Sequence, residues 1–402
     1  MANWEFPAND AGSEGWELSV ATALLILGIL CLLVACHPFV TYPWSLLVLQ
    51  ALHPAKRSRA ADTAEVPLNC AICVCAYNEE RFIAHKVENL LALRAREPNL
   101  EILVYVDGSD DRTAEILQGY ASQIDLHVGI ERRGKTYGMN LLASTAQAPI
   151  LIFTDANVLM DVDCVRDFRR YFADPEIGCV CGNLVYTNGG ASATASAGSV
   201  YWRFEEAIKK LEMESGSMMG ADGSLFAIRR ALHQPPPEHI IDDMYVSLMI
   251  LCSGYRVIQA NDALAYEESV VSAHEEFKRK IRIACQAFNA HRLLWPQLRK
   301  LDTITLYKYV SHKLIRWFTI YLLGLAAISF MAALIIAGHA GIAVVLTVCT
   351  AAALLLGGIS SMKPFAQLTG VITAFTGTGL GVWRSLRGER YQTWTPAASI
   401  RK

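Results

Sequence analysis

Three stretches of the chain carry no Asp, Glu, Lys or Arg: between Leu18 and Ala55, from Trp317 to Met362, and from Pro364 to Trp383. A helix needs roughly 20 apolar residues to cross the hydrocarbon of a bilayer. Runs this long in a water-soluble domain would have to find an uncharged interior along their whole length. They are therefore read as membrane segments, and the composition agrees, with 53% hydrophobic and 18% charged residues. The first run predicts one transmembrane helix over 18–50 that continues past the bilayer, with Pro38 and Pro43 offering a break into two. The region 315–386 predicts two to three more helices, with a turn near Gly338–Gly341. Its Gly- and Thr-rich part, Phe365–Trp383, is the weakest segment.

Charge around the first run sets an orientation. Glu5, Asp10, Glu14 and Glu17 occupy the leader 1–17, whereas Lys56, Arg57 and Arg59 follow the run. Positive residues stay on the cytosolic side, so the leader is expected outside and the next domain inside. The leader has no basic stretch, which argues against a cleaved signal peptide. Three C-terminal spans would put the tail 387–402 outside, while Arg384, Arg387, Arg390, Arg401 and Lys402 favour the inside. Re-entrant or interfacial placement of 365–383 would reconcile the two signals.

Cys70, Cys73, Cys75, Cys179 and Cys181 sit in apolar strand-like runs, where cysteine packs as a small hydrophobe instead of gathering at a zinc ion. A formal charge of -2 argues against general nucleic-acid binding.

Between the membrane parts, 56–272 is long enough for one sizeable core. Apolar runs at Leu68–Cys75, Glu101–Val106, Ile124–Ile130, Ile150–Thr154 and Ile177–Tyr186 alternate with helical patterns. This alternation predicts an α/β domain with a mostly parallel sheet covered on both faces. Ligands of such folds bind at the carboxyl ends of the strands. The segments Gly189–Gly198 and His233–His239 are expected as surface loops, and 273–314 as amphipathic interface helices.

The polar residues cluster at those strand ends. The first strand runs into Cys75-Ala76-Tyr77-Asn78-Glu79-Glu80, a turn that could hold a uridine and its ribose. The second ends at Asp107, where a base or ribose could be hydrogen-bonded, while Asp110 and Asp111 suit the cap of the next helix. Lys135 opens a helical stretch and could meet a diphosphate there. The fourth strand leads into Asp155-Ala156-Asn157, oxygen ligands for a hard cation that also takes donor phosphates. Asn157 leaves that motif one anion short. Asp161 and Asp163 are better suited to helix capping. The turn Gly220-Ala221-Asp222-Gly223-Ser224 allows close approach of a sugar or acceptor, with Asp222 and Gly223 as candidate contacts. Asp242 and Asp243 open a further helix, and Asp243 is the candidate base for an acceptor hydroxyl. Arg282, in the stretch after Lys278, could reach the diphosphate from a helix lying on the bilayer.

Taken in order, Cys75–Glu80, Asp107–Thr113, Lys135, Asp155–Asn157, Gly220–Arg230, Asp242–Asp243 and Arg282 resemble the membrane-bound family 2 glycosyltransferases, which include hyaluronan, chitin-oligosaccharide and cellulose synthases. The resemblance implies a GT-A fold, a Mg2+ or Mn2+ ion and an inverting reaction on a nucleotide-sugar donor, with UDP-sugar expected. It implies that Ala76, Tyr77, Glu79 and Asp107 hold the nucleoside, Lys135 the phosphates and Asp155 the cation, with Asp243 as base. Trp202 and Glu205 would approach the acceptor. A multi-pass protein of the inner membrane with a cytosolic catalytic domain is implied, and partner proteins of a polysaccharide export system would fit that setting.

Two departures matter. Asn157 stands where the family often has a second Asp, and Arg279-Lys280-Ile281-Arg282-Ile283 stands where processive synthases carry Gln-x-x-Arg-Trp. The expectation is therefore transfer of one or a few sugars to a lipid-linked or membrane-proximal glycan acceptor. A processive synthase is the alternative within enzymes. A catalytically silent membrane assembly protein is the alternative outside them, and Asp107, Asp155 and Asp243 together argue against it.

Overall fold

The computed structural model describes residues 10–53, 68–187, 193–268, 273–359 and 363–393. The charged residues Lys56, Arg57, Arg59, Arg401 and Lys402, on which the orientation argument leaned, lie outside them. The chain divides into two compact units, one of residues 1–42 and 311–379 and one of residues 43–310 and 380–402.

The first charge-free run is not one helix. Helix α1 (Asp10–Cys36) ends in a turn over 37–40, and α2 (Thr41–Leu52) begins after it. Pro38 falls in that turn, where it removes a backbone donor and blocks continuation. Pro43 sits in the first turn of α2, where a missing N–H costs nothing.

The sheet begins with β1 (Cys70–Ala76), every residue of it buried, as a strand covered on both faces must be. It continues through α3 (Ile83–Arg96), β2 (Glu101–Asp107), α4 (Thr113–Gln118), β3 (Asp125–Gly129), α5 (Lys135–Thr145) and β4 (Ile150–Asp155). These four strands pair in parallel in the order β3-β2-β1-β4. The helices between them bury Val87, Leu90 and Leu93 of α3 against Ile72, Val74, Ile102 and Val104 of the sheet.

The second half adds antiparallel pairs to the mostly parallel sheet expected from the sequence. After β5 (Leu159–Met160) and α6 (Cys164–Tyr171), β6 (Ile177–Tyr186) leads to α7 (Ala193–Glu214) and β7 (Leu225–Arg229). Then come α8 (Asp242–Cys252) and β8 (Arg256–Glu267). The strand β7 is antiparallel to both β4 and β6, whereas β6 and β8 are parallel, so the sheet has eight strands in the order β3-β2-β1-β4-β7-β6-β8-β5. Residues 193–198, expected as loop, belong to α7, and 188–192 lie outside the described residues.

The chain then forms α9 (Ala273–Leu298), α10 (Thr303–Tyr309), a π-helical turn over Val310–Leu314, α11 (Ile315–Ile336), α12 (Ala340–Ile359) and α13 (Lys363–Leu386). Among the described residues four helical segments are long and apolar enough to cross a membrane: Trp16–Cys36, Thr303–Ile336, Ala340–Ile359 and Phe365–Leu386. Within the first unit α1 packs on α11, and Gly28 makes room for Phe330, whose ring would lie 2.6 Å from an added Cβ. Leu25, Ile29 and Leu33 of α1 stay exposed, as a lipid-facing surface would.

Cysteines occupy the core as expected. Cys70, Cys73, Cys75, Cys179 and Cys181 are free and buried, whereas Cys36 and Cys349 are exposed. No group of three or more His, Cys, Asp or Glu gathers as a metal cage among the described residues.

Candidate functional site

Register brings the strand-end acids to one edge. Ala76 of β1 pairs with Val106 of β2, and Cys75 pairs with Asp155 of β4, so Ala76, Asp107 and Asp155 all end at the same rim. The turn after β1 is tied to the turn after β2: Asn78, at φ +53, accepts the Asp110 N–H on its Oδ1 at 2.9 Å. The backbone N–H groups of Glu79 and Glu80 donate to Thr113 Oγ1 and Asp111 Oδ2. Asp111 also accepts the Thr113 N–H at 3.0 Å in the turn before α4, whose N-cap position is Arg112 and not Asp110 or Asp111, while Asp110 accepts from the Tyr77 hydroxyl. Arg132 lies 3.5 Å above the centre of the Tyr77 ring, a cation on an aromatic face.

Asp107 is fully buried and clamps the loop before α5. Both its oxygens accept the Gly134 N–H at 3.0 Å, and Oδ1 accepts the Arg133 N–H at 2.7 Å. Gly134 adopts φ +93, which a side chain would strain, and it lets the chain turn directly into Lys135. Lys135 Nζ then reaches across the rim to Asp155 at 2.7 Å, the Gly223 carbonyl at 3.2 Å and Asp242 at 3.9 Å. Burial opposes its charge, but Asp155, Asp242 and Asp243 outweigh burial and hold its pKa above the usual lysine value. A cation at a helix start is otherwise disfavoured.

Asp242 and Asp243 open α8 beside this lysine. Asp242 is buried, and its Oδ2 has no hydrogen-bond partner. Asp243 Oδ1 accepts the Met244 N–H at 2.6 Å. Burial, and then the neighbouring charge of Asp242, push the Asp243 carboxyl up to about 7, against the opposing pull of Lys135. Gly223 is needed here, because a Cβ on it would lie 2.6 Å from Asp243 Oδ2.

On the other side of Asp155, Asn157 Nδ2 donates to Glu267 Oε1 at 3.0 Å. Burial, and then the charge of Asp155, raise the Glu267 carboxyl to about 7. Arg282 faces the same acids from α9 and hydrogen-bonds Gln286 at 3.3 Å. Burial, and then the nearby Arg279, lower its pKa although Asp155, Asp242 and Asp243 favour its charge. Arg279 is paired with Glu276 through two contacts at 2.9 and 3.5 Å. The rim thus holds anionic oxygens and three cationic side chains around one opening, suited to an anionic leaving group and a proton acceptor.

Residues 71–234 match the family model described as Glycosyl transferase family 2. The chain carries a family 2 glycosyltransferase domain. This glycosyltransferase domain is 25% identical over 194 residues to the poly-beta-1,6-N-acetyl-D-glucosamine synthase of Staphylococcus aureus (strain COL), covering 46% of this chain and 46% of that protein. It is 24% identical over 189 residues to the O-antigen chain rhamnosyltransferase RfbN of Salmonella typhimurium, covering 44% of this chain and 60% of that one. The chain spans about half the length of these curated relatives. Among solved structures, the mannosyltransferase PcManGT from Pyrobaculum calidifontis, in complex with GDP-Man and Mn2+, superposes with a TM-score of 0.71 at 21% identity. The match covers 91% of this chain and 99% of that one. The fold is therefore GT-A with added helices, as the order of motifs implied.

The glycosyltransferase domain brings together Lys135, Asp155, Gly223, Asp242, Asp243 and Arg282, and places Ala76, Tyr77, Glu79 and Asp107 along the same rim. The expected acceptor group divides. The Asp222 carboxylate is bonded to the buried Lys209, which also holds Glu206 at 3.0 Å, and Glu206 in turn takes the Gln259 amide. Glu205 is buried near Lys209, and the side chain of Trp202 lies outside the described residues. Sequence reasoning missed Glu267, which ends a strand whose apolar pattern is interrupted by Gln259, Asn261 and Asp262. It also missed Gln392, whose amide donates to the Arg133 carbonyl at 3.2 Å and to Glu238 at 2.6 Å. Nothing in the local sequence marks Gln392, which acts through a contact distant along the chain.

Proposed function

We propose that the domain transfers a sugar, with inversion, from a nucleotide-sugar donor to a lipid-linked or membrane-proximal glycan acceptor at the cytosolic face of the inner membrane. The observation that carries this is the place of Asp243 at the start of α8, next to Asp242 and Gly223 and within reach of the Lys135 charge, with its carboxyl raised by burial and then by Asp242. A base works best when its pKa lies near the working pH. Asp243 takes the proton from the acceptor hydroxyl as its oxygen bonds to the anomeric carbon. The bond from that carbon to the diphosphate breaks on the opposite face, and the diphosphate leaves with the electron pair. Lys135 and Arg282 are the side chains that meet this charge. Tyr77, Glu79 and Asp107 line the rim where the nucleoside would lie, with Asp107 acting through the Arg133–Gly134 backbone it clamps.

The Asp155 carboxylate and the Asn157 amide oxygen are hard donors that fit Mg2+ or Mn2+. They are two donors, so a cation held there would take its other ligands from substrate phosphates and water. Such an ion, when bound, supplies Lewis-acid stabilisation of the leaving diphosphate. The solved mannosyltransferase with GDP-Man and Mn2+ supports this assignment, and the donor base, UDP or GDP, is read out by screening. Arg279 and Ile283 in place of the Gln and Trp of processive synthases favour short-range transfer. The likeness to a poly-N-acetylglucosamine synthase favours the processive reading, which a ladder of long products from a membrane preparation would establish.

The deciding experiment is Asp243→Asn. Transfer is expected to fall by about 10²–10⁴-fold while thermal stabilisation by UDP or GDP survives, and a variant with the wild-type rate overturns the assignment. Excess chelator is expected to abolish transfer; undiminished turnover would remove the cation from the reading.

A further inference from the structure

Asn157 poses a charge problem within the proposed cation site. Its amide brings a neutral oxygen to a position where a second anion would hold a divalent ion more firmly. Glu267 lies against that amide. It ends β8, which neighbours β6 and β5 instead of β4, so it reaches Asn157 from a strand remote from Asp155 in the sheet order.

The chemistry of the contact is one-way. An ionised carboxylate only accepts hydrogen bonds, and an amide has one donating and one accepting end. Glu267 Oε1 therefore selects the Asn157 NH2, at 3.0 Å, and turns the amide oxygen away from itself. The other carboxylate oxygen takes only a long contact of 3.5 Å from the Ser224 hydroxyl, from the residue that precedes β7. Each carboxylate oxygen has two acceptor sites, so both retain capacity after these neutral donors are satisfied. Arg279, the cation on this side, hydrogen-bonds Glu276, and its charge also acts on Glu267. Asp155 stands close enough for its charge to act on Glu267, and Lys135 holds one Asp155 oxygen at 2.7 Å. Two acids thus adjoin Asn157, Glu267 through its hydrogen bond and Asp155 two residues earlier in the chain.

We propose that Glu267 is the second acid of the cation site, standing in for the carboxylate that Asn157 lacks and fixing the Asn157 amide so that its oxygen is available. This rests on the cation reading above. It makes the site a composite of a strand-end motif and a distant strand end, so the Asn of Asp-x-Asn is not a loss of charge but a displacement of it.

The test is Mn2+ binding, followed by the free hexaaqua Mn2+ resonance, with the purified full chain in detergent and saturating UDP or GDP. Wild type is measured first: no binding there overturns the cation reading itself, and this inference with it. Given wild-type binding, Glu267→Gln is expected to weaken Mn2+ by roughly 10–100-fold, the usual range for groups that support metal ligands. Unfolding is monitored in parallel, and Glu267→Asp, which keeps the charge, is expected to retain most of the affinity. Adding Asn157→Asp to Glu267→Gln returns an acid to the neighbouring atom and is expected to restore binding to within a few fold. Unchanged affinity in Glu267→Gln, or a loss that Asn157→Asp does not restore, overturns the proposal and leaves the cation at Asp155 standing.

Discussion

Two lysines in this domain are each surrounded by acids, and they are put to different uses. Lys209 is buried at 4% side-chain exposure, holds Glu206 and Asp222, and sits in a chain of bonds that Gln259 extends. Lys135 is 23% exposed, with Asp155 at 2.7 Å and Asp242 at 3.9 Å, and the Asp242 oxygen facing it has no hydrogen-bond partner. A buried network of hydrogen-bonded charges adds rigidity; one at a rim with an unbonded oxygen has capacity left for a ligand. Asp222, expected to approach the acceptor, is bonded to Lys209 of α7, and from there its charge also acts on Asp243. Asp242 and Asp243 remain at the opening.

The strongest way to break this contrast is Asp243→Asn. On the reading above it removes the base and lowers kcat by about 10²–10⁴-fold, measured as initial transfer rate at saturating donor. Next comes the pair of lysine variants. Lys209→Met leaves Asp222 and Glu206 without their buried partner and is expected to cost about 3 kcal/mol of stability, read from the unfolding midpoint. Lys135→Met is expected to cost less stability but to lower kcat/KM for the donor by about 10-fold or more, the value of a charge-assisted contact. If Lys209→Met instead spares stability and weakens donor use, the two networks have been assigned the wrong way round. The smallest effect is a displacement of the pH profile. Asp243 must be ionised to act, and its carboxyl is pushed up to about 7 by burial and then by Asp242. Activity should therefore climb as pH rises through neutrality. Asp242→Asn removes a negative neighbour, so the rising limb should shift to lower pH, and a limb that stays in place would separate Asp243 from the titration.

In the half of the sheet formed by β3, β2, β1 and β4, β2 and β4 were legible because each is a short apolar run closed by an acid at the rim, and β1 because it is apolar and buried throughout. Asp107 and Asp155 could be singled out for that reason alone. The other half was not. In β8 the polar residues Gln259, Asn261 and Asp262 interrupt the apolar pattern, and the pairing with β6 carries register shifts at Ile177/Cys179 and Cys181/Asn183. Glu267, at the end of that broken pattern, went unnoticed. The start of α7, Ala193–Gly198, is rich in Ala and Ser; its small residues suggested a loop, yet alanine favours helix more than any other residue. The network of Lys209 was invisible for a different reason: Asp222 and Gln259 meet it only through the fold.

The placement of the cysteines gives the molecule a built-in set of topological reporters. Thiolate is the reactive form, and burial raises the pKa of Cys73 and Cys75, so the sheet thiols resist alkylation in the folded protein. Cys36 closes α1 and is exposed, whereas Cys349 lies within the apolar run of α12. A maleimide that cannot cross membranes would therefore mark Cys36 in preference. Under the orientation proposed above it would do so in inside-out vesicles and not in intact cells, reporting the sidedness of the first span without a single engineered residue.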